Sequence, residues 1–256
     1  MASRVVLITG GAGGIGSATA RLLVARGDRV VLFGRREEPI ETLAAELGAA
    51  AIAFPGDAMH LEDLEAAVER AHDAFGSLDG TAHCVGSIKL KSLHLTSMDE
   101  FIATLETNLV SAFAACKASL GVMRRRNRGS IVLLSTAAVR QGMNNHEIIA
   151  AAKGGIEGLV RSAAMTYARY GIRFNCVAPG LTDTPLAEPL LRSEANRAIS
   201  ESLHPLGRVG RAEEVAKVVA YLLGDDSEWI TGQSWGVDGG LGAGIAPPRL
   251  VAKNTL

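Results

Sequence analysis

Short apolar runs alternate along the chain with longer stretches whose apolar residues recur at helical spacing. Residues 5–9, 29–33, 50–54, 80–85, 130–135, 173–177 and 234–237 read as strands. Their apolar character is continuous rather than alternating, the pattern of strands covered on both faces. Segments 15–26, 61–75, 109–126, 147–170 and 212–223 carry helical periodicity. Strand–helix alternation of this kind predicts an α/β fold, a doubly wound parallel sheet of about seven strands with helices on both faces. One domain over residues 1–240 accounts for the whole pattern, and a Gly- and Pro-rich stretch from 241 to 256 reads as a tail.

Composition narrows the function classes. A formal net charge of -1 provides no general attraction for nucleic acid or an anionic membrane surface. The run Arg124, Arg125, Arg126, Arg128 follows a helical pattern and precedes Gly129, so it reads as charge at a helix C-terminus. Three scattered cysteines, Cys84, Cys116 and Cys176, have neither the number nor the spacing of a disulfide framework or a zinc site. No apolar stretch reaches membrane-span length, and Met1-Ala2-Ser3-Arg4 runs straight into a strand without a signal-peptide pattern. The expectation is a soluble, cytoplasmic protein with no metal, no nucleic acid and no membrane partner.

"TGGAGGIG", residues 9–16, lies between the first strand and the first helix. Glycines there permit a tight turn and let backbone N–H groups approach a pyrophosphate at the helix N-terminus, as in a Rossmann-type nucleotide fold. Two spacings fit: Gly11, Gly13, Gly16, and the wider Gly10, Gly14, Gly16 with Ile15 between the last pair. At the end of the second strand, where an acid would hold a ribose 2′-hydroxyl, stands Gly34, followed by Arg35. A guanidinium there pairs with a 2′-phosphate, which favours NADP(H). Glu37 and Glu38 keep NAD(H) possible, although they also read as first-turn helix charges. Asp57, after the third strand, is placed to accept from an adenine amino group or to cap a helix.

These motifs together resemble the short-chain dehydrogenase/reductase family over essentially the full length. "TGGAGGIG" is similar to its T-G-x-x-x-G-x-G loop, and "FNCVAPGLTDTPL" at 174–186 to its N-x-V-x-P-G motif, with Pro179, Gly180 and Thr184 in the cofactor wall. "PLGRVGRAEEVAKVVAYLLGDDSEWITGQSWGVDGG" at 205–240 matches its C-terminal region. The resemblance implies a nicotinamide-dependent oxidoreductase, a homotetramer, and a mobile substrate lid over 186–204. It also implies a catalytic Asn–Ser–Tyr–Lys set. Asn108 fits the proton-relay asparagine, and Lys153 the lysine that binds the nicotinamide ribose and lowers the tyrosine pKa. The serine position falls on Thr136, with Ser135 as the neighbouring alternative.

The tyrosine does not match. "NNHEIIAAAKGG" places Ile149 four residues before Lys153, while Tyr167 and Tyr170 lie ~20 Å or more further along the same predicted helix. "AHCVG" replaces the family's N-N-A-G, keeping Gly86 but losing both asparagines, which implies a weakened cofactor-wall contact. His146 is the nearby group with a suitable intrinsic proton affinity, three residues before Ile149 and on the same helix face. Asn144 and Glu147 have capping-box spacing, which predicts a helix start with His146 in its first turn. A water chain through Asn108 and Lys153 is the other proton source. Three functions fit: an oxidoreductase for a small carbonyl or alcohol, a non-catalytic NADP(H) sensor or partner subunit, and an isomerase or lyase on the same frame. "LHLTSM" at 93–98 reads either as pocket lining or as helix packing.

Overall fold

In the computed structural model, which describes residues 3–244, the strands β1 (Val5–Thr9) and β2 (Arg29–Gly34) sort their side chains by parity. Val5, Leu7, Val31 and Phe33 enter one core, whereas Val6, Ile8, Val30 and Leu32 enter another on the opposite face. Both cores are built from buried hydrophobic residues, and that two-sided burial is why the strands read as unbroken apolar runs. The other strands of this sheet are β3 (Ala51–Pro55), β4 (Gly80–His83), β5 (Gly129–Leu134), β6 (Ile172–Pro179) and β9 (Ser234–Val237). All seven are parallel, in the order β3-β2-β1-β4-β5-β6-β9. A short pair, β7 (Thr182–Asp183) with β8 (Gly210–Arg211), forms a separate ribbon.

Helices α3 (Leu61–Phe75), α5 (Ser111–Arg126) and α6 (Glu147–Tyr167) cover the first core. Helices α1 (Gly14–Ala25), α2 (Glu37–Leu47) and α9 (Ala212–Leu223) cover the second. Helix α4 (Met98–Leu105) begins with a capping box, Ser97 and Glu100. It runs through a π turn, Glu106–Val110, into α5. Helices α7 (Glu188–Leu191) and α8 (Glu194–Leu203) lie in the 186–204 segment. Strand order reverses between β1 and β4, and the crevice at their carboxyl ends is where a doubly wound sheet takes its ligand.

Several expectations shift. Strand β4 stops at His83 rather than 85, and α6 stops at Tyr167, with Ala168–Tyr170 tightening into a 3-10 turn. The capping box at the start of α6 does not form: His146 is itself the N-cap residue, without a side-chain cap bond, so it precedes the first turn. The polypeptide from Gly239 to Ala243 belongs to the fold rather than a tail, since the Leu206 amide donates to the Gly239 carbonyl and Leu241 is buried. The remainder of the tail, 245–256, lies outside the described residues. Leu93, Leu95 and Met98 neither line the crevice nor pack in a core; they are 60% or more exposed.

The basic run ends α5 as its pattern predicts, with Asn127 in the left-handed conformation closing the helix. Arg126 pairs with Asp79 and Arg128 with Asp225. Among the described residues no helix is long and apolar enough to cross a membrane.

Candidate active site

The crevice at the carboxyl ends of the strands opens into a cavity of about 840 Å³. Its floor is the glycine loop. Gly10 adopts a φ of +69°, and a Cβ there would lie 2.9 Å from the Cys84 carbonyl oxygen. A Cβ on Gly16 would come within 2.2 Å of the Gly10 carbonyl oxygen, and one on Gly14 within 2.5 Å of Thr184 Cγ2. Built contacts at Gly11 and Gly13 are no closer than 3.1 Å. Of the two spacings in the sequence, the wider one carries the tightest constraints. Bare backbone thus faces the cavity at the start of α1, the arrangement a pyrophosphate needs.

One end of the cavity is charged. Arg35 and Arg36 are exposed there and, among the described residues, make no side-chain ion pair or hydrogen bond. Asp57 lines the same cavity, one carboxylate oxygen accepting from the Met59 amide; the N-cap of α3 is His60, so the capping reading of Asp57 does not hold. The residues present fit a dinucleotide: a glycine cradle, two unpaired guanidinium groups for a 2′-phosphate, and a carboxylate.

Lys153 lines the cavity although only 6% exposed, on a buried stripe of α6 that is apolar apart from it and Glu157. Burial pushes its ammonium down to about 8, partly offset by the nearby Cys84 and Cys176 sulfurs. A Cβ on Gly86 would lie 3.2 Å from Lys153 Nζ and 3.0 Å from Asn108 Oδ1, so the bare Gly86 lets these two groups approach. Asn108 stands behind the wall, fully buried in the π turn. Its Nδ2 donates to Ser87 Oγ and the Thr104 carbonyl, both at 2.9 Å, and its Oδ1 accepts from the Ser87 amide at 3.1 Å.

The two hydroxyls that follow β5 both belong to residues of the cavity wall but differ in what holds them. Ser135 is buried and donates to Glu157 Oε1 at 2.9 Å, and Ser234 Oγ donates to the same oxygen at 2.8 Å. Thr136 is half-buried on the cavity wall. Geometry therefore selects Thr136 over Ser135 for contact with a bound molecule. Glu157, four residues after Lys153 on the same buried stripe, was not singled out from sequence; a carboxylate at that spacing was the available signal.

Ile149 is 5% exposed and faces the cavity one turn before Lys153; none of the chain's tyrosines is on the wall. His146 is on the wall as well. Its Nδ1 lies 2.7 Å from the Asn144 carbonyl, which only accepts, so Nδ1 carries the proton and Nε2 is the open position. Beyond Ile149 the wall is largely apolar: Ile88, Leu90, Met143, Leu186, Leu190, Ile199 and Leu203 line it, with Asn196, Ser200 and His204 and no Asp, Glu, Lys or Arg.

The missing asparagines of "AHCVG" have a replacement. His83 is fully buried; its Nδ1 lies 2.8 Å from Thr9 Oγ1 and its Nε2 3.1 Å from Ser111 Oγ. Since Ser111 spends its proton on the Thr107 carbonyl, Nε2–H donates to Ser111 and Thr9 donates to Nδ1. The glycine loop, β4 and α5 stay tied together, so the expected weakening of the wall is not found. A second histidine, His204, also unforeseen, ends α8: its Nδ1 donates to the Ser200 carbonyl, and its Nε2 accepts from the Leu181 amide at 3.1 Å.

A seven-stranded parallel sheet with a glycine cradle and a buried lysine at its switch point defines a nucleotide-dependent enzyme frame. Residues 10–242 match the family described as enoyl-(acyl carrier protein) reductase. The chain is 38% identical over 242 residues to cis-4-hydroxycyclohexanecarboxylate dehydrogenase of Sinomonas cyclohexanicum, covering 93% of this chain and 96% of that one. It is 36% identical to cyclohexanol dehydrogenase of Acinetobacter sp. (strain SE19), covering 93% and 94%. A crystal structure of an actinorhodin polyketide ketoreductase variant with NADPH superposes with a TM-score of 0.89 at 31% identity, covering 94% of this chain and 97% of that one. This chain belongs to the short-chain dehydrogenase/reductase family, whose members here are dehydrogenases and reductases.

Proposed function

We propose that the protein is an NADP(H)-dependent oxidoreductase that interconverts a small, uncharged alicyclic alcohol and its ketone, using His146 where the family resemblance implies a tyrosine. The observation that carries this reading is one cavity wall holding Thr136, Lys153 and the free Nε2 edge of a histidine around Ile149. Relatives named for cyclohexanol and hydroxycyclohexanecarboxylate support an alicyclic ring, and a wall beyond Ile149 without Asp, Glu, Lys or Arg supports the uncharged member of that class. The unpaired guanidinium groups of Arg35 and Arg36 support NADP(H) over NAD(H).

The nicotinamide cofactor, when bound, supplies or accepts the hydride. Thr136 Oγ1 donates a hydrogen bond to the substrate oxygen, stabilising the charge that develops on it. His146 Nε2 takes the hydroxyl proton in oxidation and returns it in reduction, while Nδ1 stays bonded to Asn144. Lys153 would hold the ribose hydroxyls of the bound cofactor, and Asn108 keeps the wall behind it in place through Ser87. Segment 186–204, with α7 and α8, covers the substrate as a lid and excludes water.

Self-association fits the same frame. Val110, Phe113 and Met165 are 47%, 53% and 84% exposed on the outer sides of the π turn, α5 and α6, and we read these helices as the faces of a homotetramer. Light scattering on a sizing column tests it; a monomer removes the reading.

Function itself is tested by mixing the protein with NADPH and a panel of substituted cyclohexanones while following the nicotinamide absorbance. Slow turnover is expected. His146→Ala is expected to lower the rate about 10²–10⁴-fold, the usual contribution of a positioned general acid. Were the rate unchanged in His146→Ala, the proton would come from water along Asn108 and Lys153. Saturable NADPH binding with no turnover would instead indicate a sensor or partner subunit. Product formed without net nicotinamide change would indicate an isomerase or lyase.

A further inference from the structure

Two non-glycine residues have positive φ among the described residues: Asn127, which closes α5, and Asn145, at +62°. Asn145 closes no helix. It stands immediately before His146, in a conformation that L-residues avoid and that asparagine tolerates better than most. Two bonds from another part of the chain hold it there. The Lys91 amide donates to its carbonyl at 3.0 Å, and Ser92 Oγ donates to its Oδ1 at 2.6 Å.

Both donors sit in the segment that joins β4 to α4. That segment is itself anchored at the catalytic wall, where Ser87 exchanges hydrogen bonds with Asn108. Further along, Lys89 and Lys91 both pair with Glu100 of α4, at 3.0 and 2.6 Å. Between these anchors Ile88 and Leu90 face the cavity. The segment therefore bridges Asn108 and the turn that presents His146. With the turn held left-handed at Asn145, the Asn144 carbonyl faces back to His146 Nδ1 at 2.7 Å, which fixes the ring's tautomer and leaves Nε2 for the cavity.

We propose that Asn145 is a positioning residue, clamped by Ser92 and the Lys91 amide, that sets the tautomer and aim of His146. The inference rests on the proposed role of His146 for its functional meaning, but the clamp is measurable without turnover. An unconstrained neutral histidine prefers the Nε2–H tautomer, so retention of the Nδ1–H form reports the clamp directly.

The test is nitrogen-15 imidazole NMR on the full chain at a pH where the ring is neutral, with the His146 signal assigned by its loss in His146→Gln. Wild type is expected in the Nδ1–H form. Ser92→Ala and Asn145→Ala should move the signal toward the Nε2–H form. Asn145→Gly, which keeps the backbone but loses Oδ1, should fall between, and Asn145→Asp, which keeps an acceptor oxygen, should restore the wild-type position. Circular dichroism melts confirm that each variant is folded. In turnover, Ser92→Ala and Asn145→Ala should lower kcat about tenfold, with the NADPH Kd unchanged. An unchanged tautomer in both Ser92→Ala and Asn145→Ala overturns the clamp. An unchanged turnover rate in His146→Ala overturns the proton-donor reading instead, and leaves the clamp to be decided by the NMR result.

Discussion

His83 joins Thr9 of the glycine-loop strand to α5 through a ring buried to 0% exposure, its Nδ1 2.8 Å from the Thr9 hydroxyl. Burial, with the Lys153 charge nearby, pushes the imidazole down to about 3. The unfolded chain therefore binds more protons between about pH 6.5 and 3, and stability from this residue is lost as pH falls through that window. Relative to His83→Asn, wild type should lose stability progressively below pH 6.5, by up to ~4 kcal/mol at the acid end. Urea unfolding across that range measures it; a pH-independent difference would show that the ring does not stay neutral.

Lys153 gives the opposite end of the pH scale. Its folded value of about 8 lies below the ordinary 10.5, so the unfolded chain binds more protons between the two. Stability from Lys153 in the cofactor-free protein rises with pH through that window. The difference between wild type and Lys153→Met should therefore grow by about 1–2 kcal/mol between pH 8 and 9.5. Guanidinium titrations at stepped pH check it, and a flat difference would mean the ammonium is not disfavoured.

Cofactor preference should reside largely in one guanidinium. Arg35→Ala is expected to weaken NADPH binding about 10–100-fold while leaving NADH nearly unaffected, because only the former carries a 2′-phosphate. Fluorescence titration with both nucleotides decides it. Equal losses would place Arg35 in general cofactor binding rather than phosphate discrimination.

Ile149→Tyr restores a hydroxyl one turn before Lys153, facing a cavity with room for the ring. A gain of about 10²–10⁴ in ketone reduction is expected, the usual contribution of a positioned general acid. Stopped-flow traces with wild type and variant side by side provide the measurement. No gain, with cofactor binding intact, would mean that Thr136 and Lys153 are not arranged for hydride transfer to a carbonyl.

Strand and helix order was legible because two-sided burial leaves unbroken apolar runs and the glycine loop has few alternatives. Lys153 and the cofactor residues came from the family resemblance, and Gly10, Gly14, Gly16, Arg35, Gly86 and Lys153 line one cavity. What sequence did not reveal depended on bonds between distant segments. The Asn144–Glu147 spacing suggests a capping box, but the helix start is set by Asn145 meeting Lys91 and Ser92, more than fifty residues earlier. His83 looks like a loss beside the asparagine it replaces, until its two neighbours, Thr9 and Ser111, are seen on either side. Glu157 gives no sign in the sequence that it gathers Ser135 and Ser234 from two different strands.

The divergence of Ser135 and Thr136 matters for how this protein can change. Adjacent codons specify two hydroxyls on the cavity wall, one bonded to Glu157 and one free of that bond. Exchange of the Thr136 hydroxyl would therefore alter the chemistry offered to a bound molecule without disturbing the neighbouring staple of Ser135, Glu157 and Ser234. Chemistry and architecture are inherited side by side but mutate independently.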